Sequence, residues 1–216
     1  MALEAVQITP QLESYLEAQL QPRDPVLAAL EREAEEKGVP IVGPQVGTLL
    51  CLFTGLLRPR LILELGCATG YSAIWLARGA PDARLITTEL DRGRAERARR
   101  SFEAAGLAGR VELIEGDALD YLSRTQDRFD VVFNDLLNSF RDEDAVERSF
   151  RLSLERLQPG GLLLADNSLR RGEVLRPSSR GGRNVVRYNE LVAGDKRLQG
   201  LIIPLRDGVS VARLEA

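Results

Sequence analysis

The stretch at residues 61–72 constrains the fold more than any other part of the sequence. Leu61–Leu65 is a short apolar run, typical of a strand that is buried on both faces, and Glu64 is its one charged residue. Gly66 and Gly70 then bracket a tight loop, and the residues that follow have the pattern of a helix. A strand, a glycine loop and a helix in this order place a ligand at the helix N-terminus, beyond the carboxyl end of the strand.

The spacing of the two glycines separates two classes of nucleotide-binding protein. Dinucleotide-binding proteins use Gly-x-Gly-x-x-Gly, in which the second glycine lets the backbone approach a pyrophosphate. This loop is Gly-x-x-x-Gly with Ala68 at that position, so a pyrophosphate fits less well. Residues 64–70, Glu-x-Gly-x-x-x-Gly, resemble motif I of the S-adenosylmethionine (SAM) methyltransferases, whose glycine backbone lies against the methionine part of SAM. A nicotinamide-dependent dehydrogenase and a ligand-free strand-to-helix turn are the less favoured alternatives.

The composition excludes several kinds of active site. The chain has 216 residues, no histidine, and two cysteines. Histidine triads and histidine metal sites are therefore excluded, and any bound metal needs oxygen ligands, which Mg²⁺ prefers. The net charge of −3 argues against a general nucleic-acid binder. With no apolar run near the roughly 20 residues of a membrane span and no signal-peptide pattern, we expect a cytoplasmic protein with no membrane partner.

Strand and helix patterns alternate after residue 60 and predict the fold class. Apolar strands are predicted near 61–65, 84–89, 110–115, 129–134 and 161–165, and amphipathic helices near 71–78, 92–105, 117–123, 140–157 and 184–193. This order is typical of an α/β fold with a mainly parallel sheet. Residues 198–214 add two strands joined by an Asp-Gly turn, which predicts a C-terminal antiparallel hairpin.

The organisation of the whole chain follows from these patterns. We expect a single domain, 1–216, in which N-terminal helices (1–58) precede a SAM-binding core (59–216). The core is similar to the Rossmann-like, seven-stranded fold of SAM-dependent methyltransferases. Thr9-Pro10 and Asp24-Pro25 each combine a helix cap with a proline at the first helical position. The N-terminal helices are predicted to pack over the sheet or at a dimer interface, with a lid over the site as the alternative.

Candidate cofactor residues follow the second and third predicted strands. Glu89 ends the second strand roughly 20 residues after the glycine loop, a spacing at which a carboxylate accepts both ribose hydroxyls. Asp91 is predicted to cap the following helix. Asp117 and Ala118 follow the third strand, where adenine packs in this architecture. Asp117 is equally suitable as a helix cap, and both interpretations stay open.

Oxygen-bearing side chains follow the fourth and fifth predicted strands. Asp135 comes after the fourth strand, and Asp166 and Asn167 come after the fifth. Because neighbouring parallel strands end at the same edge of a sheet, we expect these three side chains to surround one point. Two carboxylates and a carboxamide, completed by water and substrate, suit Mg²⁺ or another divalent cation. Each residue alone is also a common loop cap, so the prediction depends on their combination.

Together these motifs resemble the cation-dependent O-methyltransferases, the caffeoyl-CoA and catechol O-methyltransferase family with its many bacterial members. The resemblance covers residues 25–216 and rests on 64–72, 89, 116–118, 129–135, 159–167 and 206–209. It implies that the metal is bound by Asp135, Asp166 and Asn167. It implies that SAM is surrounded by Val42, Glu64, Gly66, Ser72, Glu89, Ala118 and Asp135. Family members usually form homodimers, so a homodimer is expected.

The chain departs from this family at one catalytic position. The family usually has Ala-Asp-Lys after its first metal aspartate, and the lysine is assigned as the general base. Here Asp135 is followed by Leu136-Leu137-Asn138. An asparagine can hydrogen-bond a hydroxyl but cannot take its proton at neutral pH. Asp135 and Asn138 are the candidate catalytic residues, and neither Lys37 nor Lys196, the two lysines of the chain, is an obvious replacement for the base.

An arginine-rich segment, residues 170–187, follows the candidate metal ligands. Glu173 is its one acidic residue, and its arginines are Arg170, Arg171, Arg176, Arg180, Arg183 and Arg187. The segment is predicted either to clamp phosphates, such as those of a CoA thioester or an RNA, or to be a solvated basic loop. The pair Gly181-Gly182 predicts a mobile loop.

These observations predict a SAM- and Mg²⁺-dependent O-methyltransferase. Its acceptor would be a small molecule with two adjacent hydroxyls, of catechol type, either neutral or anionic. A tRNA hydroxyuridine O-methyltransferase is one alternative, because of the arginine-rich segment. A SAM-binding protein with little catalysis is another, because of Leu137 and Asn138.

Overall fold

A seven-stranded sheet forms the centre of the fold in the computed structural model, which describes residues 6–215. The strands are β1 (Leu61–Leu65), β2 (Arg84–Glu89), β3 (Val111–Glu115), β4 (Phe129–Asn134), β5 (Leu157–Ala165), β6 (Leu198–Ile203) and β7 (Val209–Leu214). Their order is β3-β2-β1-β4-β5-β7-β6. Strands β1 to β5 pair in parallel, and β7 is antiparallel to both β5 and β6. The predicted mainly parallel sheet with a C-terminal hairpin is confirmed.

Helices precede and alternate with these strands. They are α1 (Pro10–Ala18), α2 (Pro25–Lys37), α3 (Gly43–Leu57), α4 (Tyr71–Gly79), α5 (Arg92–Ala104), α6 (Ala118–Arg124), α7 (Glu143–Arg156) and α8 (Arg180–Gly194), with a 3₁₀ segment at Arg170–Leu175. Thr9 and Asp24 cap α1 and α2 through their side-chain oxygens, as the sequence predicts. No helix within residues 6–215 is long and apolar enough to cross a membrane.

The helices bury both faces of the sheet, which explains the near-continuous apolar character of its central strands. On one face, α2 to α5 pack through Leu27, Leu50, Ile74 and Phe102. On the other face, α6 to α8 contribute Leu122, Val146, Phe150, Val185 and Tyr188. The helix α1 has no buried residue. Two hydrophobic layers therefore hold the sheet, and the ends of its strands are left to form a site.

The prediction of a mobile loop at Gly181-Gly182 is wrong. Both glycines are buried in the first turn of α8, which begins at Arg180, and Ser179 caps it by accepting a hydrogen bond from the Gly182 amide at 2.9 Å. A Cβ atom at Gly182 would lie 2.6 Å from the carboxyl carbon of Glu173. The glycines therefore permit close packing between the 3₁₀ segment and α8.

Candidate active site

The candidate site lies where the order of the strands reverses. Strand β1 has β2 on one side and β4 on the other, and a ligand crevice opens at the carboxyl ends of the strands at such a point. The Asp135 amide donates to the Leu65 carbonyl at 3.1 Å, and the Asp166 amide donates to the Asn134 carbonyl at 3.2 Å. These bonds place the candidate metal ligands at one edge of the sheet, next to the glycine loop.

The glycine loop owes its shape to residues whose backbone angles lie in the left-handed region of φ and ψ. Gly66 has φ of 86° and Gly70 has φ of 91°, and Ala68 between them has φ of 47°. A Cβ atom on Gly66 would lie 2.5 Å from Cδ2 of Leu136. The loop after β4 therefore packs directly against the glycine, and neither the backbone angle nor this contact favours another residue there.

Glu89 is fixed by the backbone around it. Its Oε2 accepts from the Ala68 amide and its Oε1 accepts from the Asp91 amide, both at 2.9 Å, and the residue is 7% exposed. Asp91 caps α5 by accepting from the Arg94 amide at 2.8 Å, which confirms its predicted role. The glycine loop and the end of β2 are thus locked together through one carboxylate.

A cavity of about 910 Å³ opens beside Glu89 and is here called the cofactor cavity. Gly66, Asp117, Ala118, Leu136 and Phe140 are among the residues that line it. Its volume is within the range of about 300–1,000 Å³ that is typical of small-molecule sites. The side chain of Asp117 caps α6 through Oδ1, which accepts from the Leu119 and Asp120 amides at 2.8 and 3.0 Å. Asp117 therefore is a helix cap that also borders the cavity.

Glu64 is a buried carboxyl group beneath the glycine loop, with 0% of its surface exposed. Its Oε2 accepts from the Thr87 hydroxyl at 2.6 Å, and its Oε1 has no hydrogen-bond partner among residues 6–215. Burial raises the pKa of Glu64 to about 7, against the partial lowering by the Ser72 and Thr87 hydroxyls. An unpartnered buried oxygen at this position is available to a ligand group that donates a hydrogen bond or carries positive charge.

The three candidate metal ligands have an environment that suits a cation. Burial raises the pKa of Asp135 well above its ordinary value, and the nearby charge of Asp166 raises it further. Asp166 is 5% exposed and burial raises its pKa too, while the Asn167 backbone and Arg206 lower it. Asn167 adopts a φ of 61°, a left-handed conformation that asparagine tolerates better than most residues. Two carboxylates that repel each other, with an amide beside them, form a donor set that fits a divalent cation.

The three candidate metal ligands are not a cluster of acidic side chains alone. Within residues 6–215, no group of three or more His, Cys, Asp or Glu side chains could hold a metal. The predicted set has two carboxylates, and its third member is the amide of Asn167. The role of these three residues as metal ligands stays a prediction.

Asn138, at the position of the family's lysine, contacts this set. Its Nδ2 donates to Oδ1 of Asn167 at 2.7 Å, and Asn167 Nδ2 donates to Oδ2 of Asp166 at 3.1 Å. The Oδ1 atom of Asn138 is buried and has no partner among the described residues. Leu137, which stands where the family has an acid, is 1% exposed and belongs to the hydrophobic core. At this position the chain therefore has, in place of the family's lysine base, an amide that hydrogen-bonds the candidate metal ligand Asn167.

A second cavity, of about 1,050 Å³, is bordered by Asp166 and Asn167 and is here called the acceptor cavity. Residues 39–44, Arg171 and Arg206 also line it, and so do residues of α1 and α2. Val42 lies in this wall rather than in that of the cofactor cavity. Glu89 and Ala118 thus border the cofactor cavity, whereas Asp166 and Asn167 border the acceptor cavity and Asp135 is among the lining residues of neither.

The arginine-rich segment does not act as one cluster. Arg187 pairs with Glu147 at 2.7 Å and Arg183 with Glu143 at 3.8 Å, both toward α7. Arg170 pairs with Glu173 at 3.8 Å. Of the six arginines, Arg171 alone is among the residues that line the acceptor cavity. The sequence could not show this, because a run of arginines does not reveal which of them find acidic partners.

Sequence reasoning missed two features of the acceptor cavity. Arg206, in the turn between β6 and β7, donates through Nη1 to the carbonyls of Ile41 and Val42. Glu31 of α2 accepts a hydrogen bond from the Tyr71 hydroxyl at 2.7 Å and forms an ion pair with Arg23 at 3.0 Å. Both features join segments far apart in sequence, so no local pattern indicates them.

Comparison with known proteins decides the family. A sequence model described as O-methyltransferase matches residues 18–214. The chain belongs to the O-methyltransferase family. A catechol O-methyltransferase of Mycobacterium tuberculosis is 35% identical in an alignment of 173 residues that covers 78% of this chain and 76% of that protein. One from Niastella koreensis is 32% identical over 223 residues, covering 95% and 97% of the two chains.

Solved structures of O-methyltransferases have the same fold. The O-methyltransferase of Bacillus cereus, solved in complex with SAH, has a TM-score of 0.82 and 30% identity and covers 95% of this chain and 97% of its own. TomG of Streptomyces achromogenes, an O-methyltransferase involved in tomaymycin synthesis and solved with SAM, has a TM-score of 0.82 and 32% identity, with 95% and 96% covered. The Rossmann-like methyltransferase fold predicted from the sequence is confirmed.

Proposed function

We propose that this O-methyltransferase uses SAM and a divalent cation, Mg²⁺ for preference, to methylate a small acceptor with two adjacent hydroxyls. The observation that carries the proposal is that backbone hydrogen bonds put Asp135 beside the end of β1 and Asp166 beside the end of β4, and that Asp166 and Asn167 border the acceptor cavity. The naming of two relatives as catechol O-methyltransferases supports the choice of acceptor.

The proposed SAM site surrounds the glycine loop. Glu89 would bind the ribose hydroxyls, because its carboxylate borders the cofactor cavity while the backbone holds it in place. The unpartnered Oε1 of Glu64 would receive a positively charged or hydrogen-bond-donating group of the methionine part. The remaining proposed contacts are Val42, Gly66, Ser72, Asp117, Ala118 and Asp135. The SAH and SAM bound in neighbouring structures support the choice of SAM as the cofactor.

The proposed cation site consists of Asp135, Asp166 and Asn167. A divalent cation bound there would supply positive charge that favours the ionised form of an acceptor hydroxyl. The two adjacent hydroxyls of the acceptor would lie beside Asp166 and Asn167, which border the acceptor cavity. Methyl transfer is a single displacement that depends on proximity. Alignment of the acceptor oxygen with the methyl group of SAM would therefore account for most of the rate enhancement.

Asn138 has a positioning role in this proposal. It cannot remove the hydroxyl proton, so that proton passes to solvent rather than to the side chain. Its Nδ2 holds Asn167, and its unpartnered Oδ1 can accept a hydrogen bond from the acceptor. The buried Leu137 keeps water away from the other side of this loop.

A SAM-binding protein with little catalysis is the second candidate function. The observation that favours it is the hydrogen bond that Asn138 donates to Asn167. Asn138 stands where the family usually has the lysine assigned as the general base, and its amide group is engaged in this bond instead. A tRNA acceptor has less support, because Arg183 and Arg187 pair with acids of α7.

We also propose a homodimer, since Leu52 and Leu56 of α3 are 58% and 81% exposed.

The deciding experiment measures methyl transfer from labelled SAM to catechol and to bulk unmodified tRNA, each with Mg²⁺ and with EDTA. Label in catechol only with Mg²⁺ is the expected result, and Asp166→Ala should abolish it at limiting Mg²⁺. Asp195→Ala, at the C-cap of α8 where Asp195 pairs with Arg197, is the matched control and should retain activity. Tight binding of SAM without transfer to either acceptor would favour the second candidate, and undiminished transfer by Asp166→Ala would contradict the cation site.

A further inference from the structure

The helix α8 carries an asparagine in the middle of its buried face. Asn184 is 0% exposed and lies on the same face as Val185 and Tyr188, which belong to the hydrophobic layer on that side of the sheet. Asparagine favours a helix less than leucine does, and the buried Oδ1 of Asn184 has no hydrogen-bond partner within residues 6–215. An unpaired buried oxygen destabilises the fold, so the presence of this asparagine needs an explanation.

The amide nitrogen of Asn184 holds the loop after β4. Its Nδ2 donates to the Phe140 carbonyl at 2.9 Å and to the Leu137 carbonyl at 3.2 Å. An amide nitrogen has two N–H groups, so both donors are used and the orientation of the side chain is fixed. The two carbonyls lie on either side of Asn138 in the chain. The loop of residues 136–140 is therefore tied to α8 at two points, with Asn138 between them.

A second asparagine of α8 holds the loop after β5. Nδ2 of Asn189 donates to the Ser168 carbonyl at 2.8 Å, and Ser168 directly follows Asn167. Asn184 and Asn189 are five residues apart, which corresponds to about 7.5 Å along a helix axis. One helix thus bonds to the residue before Asn138 and to the residue after Asn167.

The two loops meet through their side chains but border different cavities. Asn138 donates to Asn167 at 2.7 Å, which joins the two loops in front of α8. Asn167 borders the acceptor cavity. Three residues of the loop after β4 line the cofactor cavity, namely Leu136, Ser139 and Phe140. A change at Asn184 should therefore affect both cavities, whereas a change at Asn189 should affect the loop after β5 alone.

We propose that Asn184 and Asn189 are positioning residues, which fix the separation of the two loops and so hold Asn138 and Asn167 in the geometry that cation binding requires. Neither asparagine is among the residues that line the two cavities, so both act through the loop backbone. This inference rests on the proposed function, because it concerns the same cation site. Residues that orient a metal ligand from behind typically change metal affinity by about 10- to 100-fold.

The test uses two calorimetric titrations, one with SAH in the metal-free protein and one with Mg²⁺ in the presence of SAH. Asn184→Ala should weaken both interactions by about tenfold, because its loop borders the cofactor cavity and carries Asn138. Asn189→Ala should weaken Mg²⁺ binding by about tenfold and leave SAH binding unchanged. Asn184→Ser retains one donor, so it should give smaller losses of the same kind and replaces Asn184→Ala if that variant does not fold.

Val192→Ala is the matched control for both variants. It truncates a buried side chain on the same helix without removing a hydrogen bond, so it should lower the midpoint of thermal unfolding and leave both affinities unchanged. Loss of SAH and Mg²⁺ affinity in Val192→Ala equal to that in Asn184→Ala would reduce the asparagines to general stabilisers of α8 and overturn the inference.

A double variant tests whether Asn184 acts through Asn138. If it does, Asn138→Ala combined with Asn184→Ala should weaken Mg²⁺ binding by less than the product of the two single losses, because the contact to Asn167 is already absent. Losses that multiply would show that the two residues act independently and would contradict this route.

The outcomes separate this inference from the proposed function. Binding of Mg²⁺ by the wild type with undiminished affinity in both asparagine variants would overturn the inference and leave the cation site in place. Equal loss of SAH affinity in Asn184→Ala and Asn189→Ala would also overturn it. A wild type that binds no Mg²⁺ would contradict the proposed cation site, and with it the role of Asn189, whereas the metal-free SAH titration would still decide the role of Asn184.

Discussion

Nδ2 of Asn138 donates a hydrogen bond to Oδ1 of Asn167 at 2.7 Å. This contact converts the position of the family's lysine into a support for a proposed cation ligand. A residue that holds a ligand orients it and thereby sets the affinity of the site for its metal. The loss of the base and the gain of this support arise from one substitution.

Asn138→Ala is expected to weaken the binding of Mg²⁺ by about 10- to 100-fold, because Asn167 loses its hydrogen-bond donor. The measurement is a titration of methyl transfer against Mg²⁺, with the dissociation constant determined by calorimetry. Ser139→Ala changes the exposed neighbour and should leave the affinity unchanged. An unchanged Mg²⁺ affinity in Asn138→Ala would show that the contact does not support a metal ligand.

Glu89→Gln is expected to weaken SAH binding by at least about tenfold. An amide side chain has one oxygen instead of two, so one of the proposed ribose hydroxyls would lose its charged acceptor, and a hydrogen bond to a charged group is worth about 1.5–3 kcal/mol. Calorimetry with SAH checks this. Glu115→Gln is the matched control, because Glu115 is the register partner of Glu89 on β3 and is exposed. Equal SAH affinity in the two variants would show that Glu89 does not contribute to cofactor binding.

Glu64→Gln is expected to change how the free energy of unfolding depends on pH. Burial raises the pKa of Glu64 from 4.5 to about 7. Between these values the unfolded chain has lost the proton and the folded chain retains it, so wild-type stability falls as the pH rises through this window. The loss amounts to about 3 kcal/mol above pH 7, since each pKa unit corresponds to about 1.4 kcal/mol.

Glutamine cannot ionise, so the variant should gain about 2.5 kcal/mol relative to wild type between pH 5 and pH 8. Thermal unfolding at both pH values, without SAM or divalent cation, measures the difference. Glu112→Gln, at an exposed position of β3, should follow the wild-type profile. Parallel profiles for wild type and Glu64→Gln would mean that Glu64 is ionised in the folded protein at pH 5.

Gly66→Ala is expected to destabilise the fold by about 1–2 kcal/mol and to weaken SAH binding, because Gly66 has φ of 86° and faces Leu136. Chemical denaturation and calorimetry measure the two effects. Adding Leu136→Ala should restore part of the loss by removing the contact, whereas the strain of the backbone angle remains. Gly109→Ala is the control, because no atom lies within 4 Å of a Cβ built there. A loss equal to that of Gly109→Ala would exclude a special role for Gly66.

Local patterns in the sequence determined the order and type of the elements. The apolar run and paired glycines at residues 61–70 predicted β1, the loop and α4, because burial on both faces and positive φ angles leave few other residues suitable. The Asp-Gly turn predicted the hairpin of β6 and β7. Strand β5 begins at Leu157, earlier than the predicted residue 161, since its first residues pair irregularly with β4.

The tertiary structure alone decided which distant side chains meet. Asp135 and Asp166 were predicted to be neighbours because parallel strands end together, but the bond between Asn138 and Asn167 depends on the path of two loops. The same holds for the separation of Arg171 from Arg183 and Arg187, whose partners are on α7, and for the burial of Gly181-Gly182. Strand and helix formation is governed by neighbours along the chain, whereas charge pairing and close packing are governed by neighbours in space.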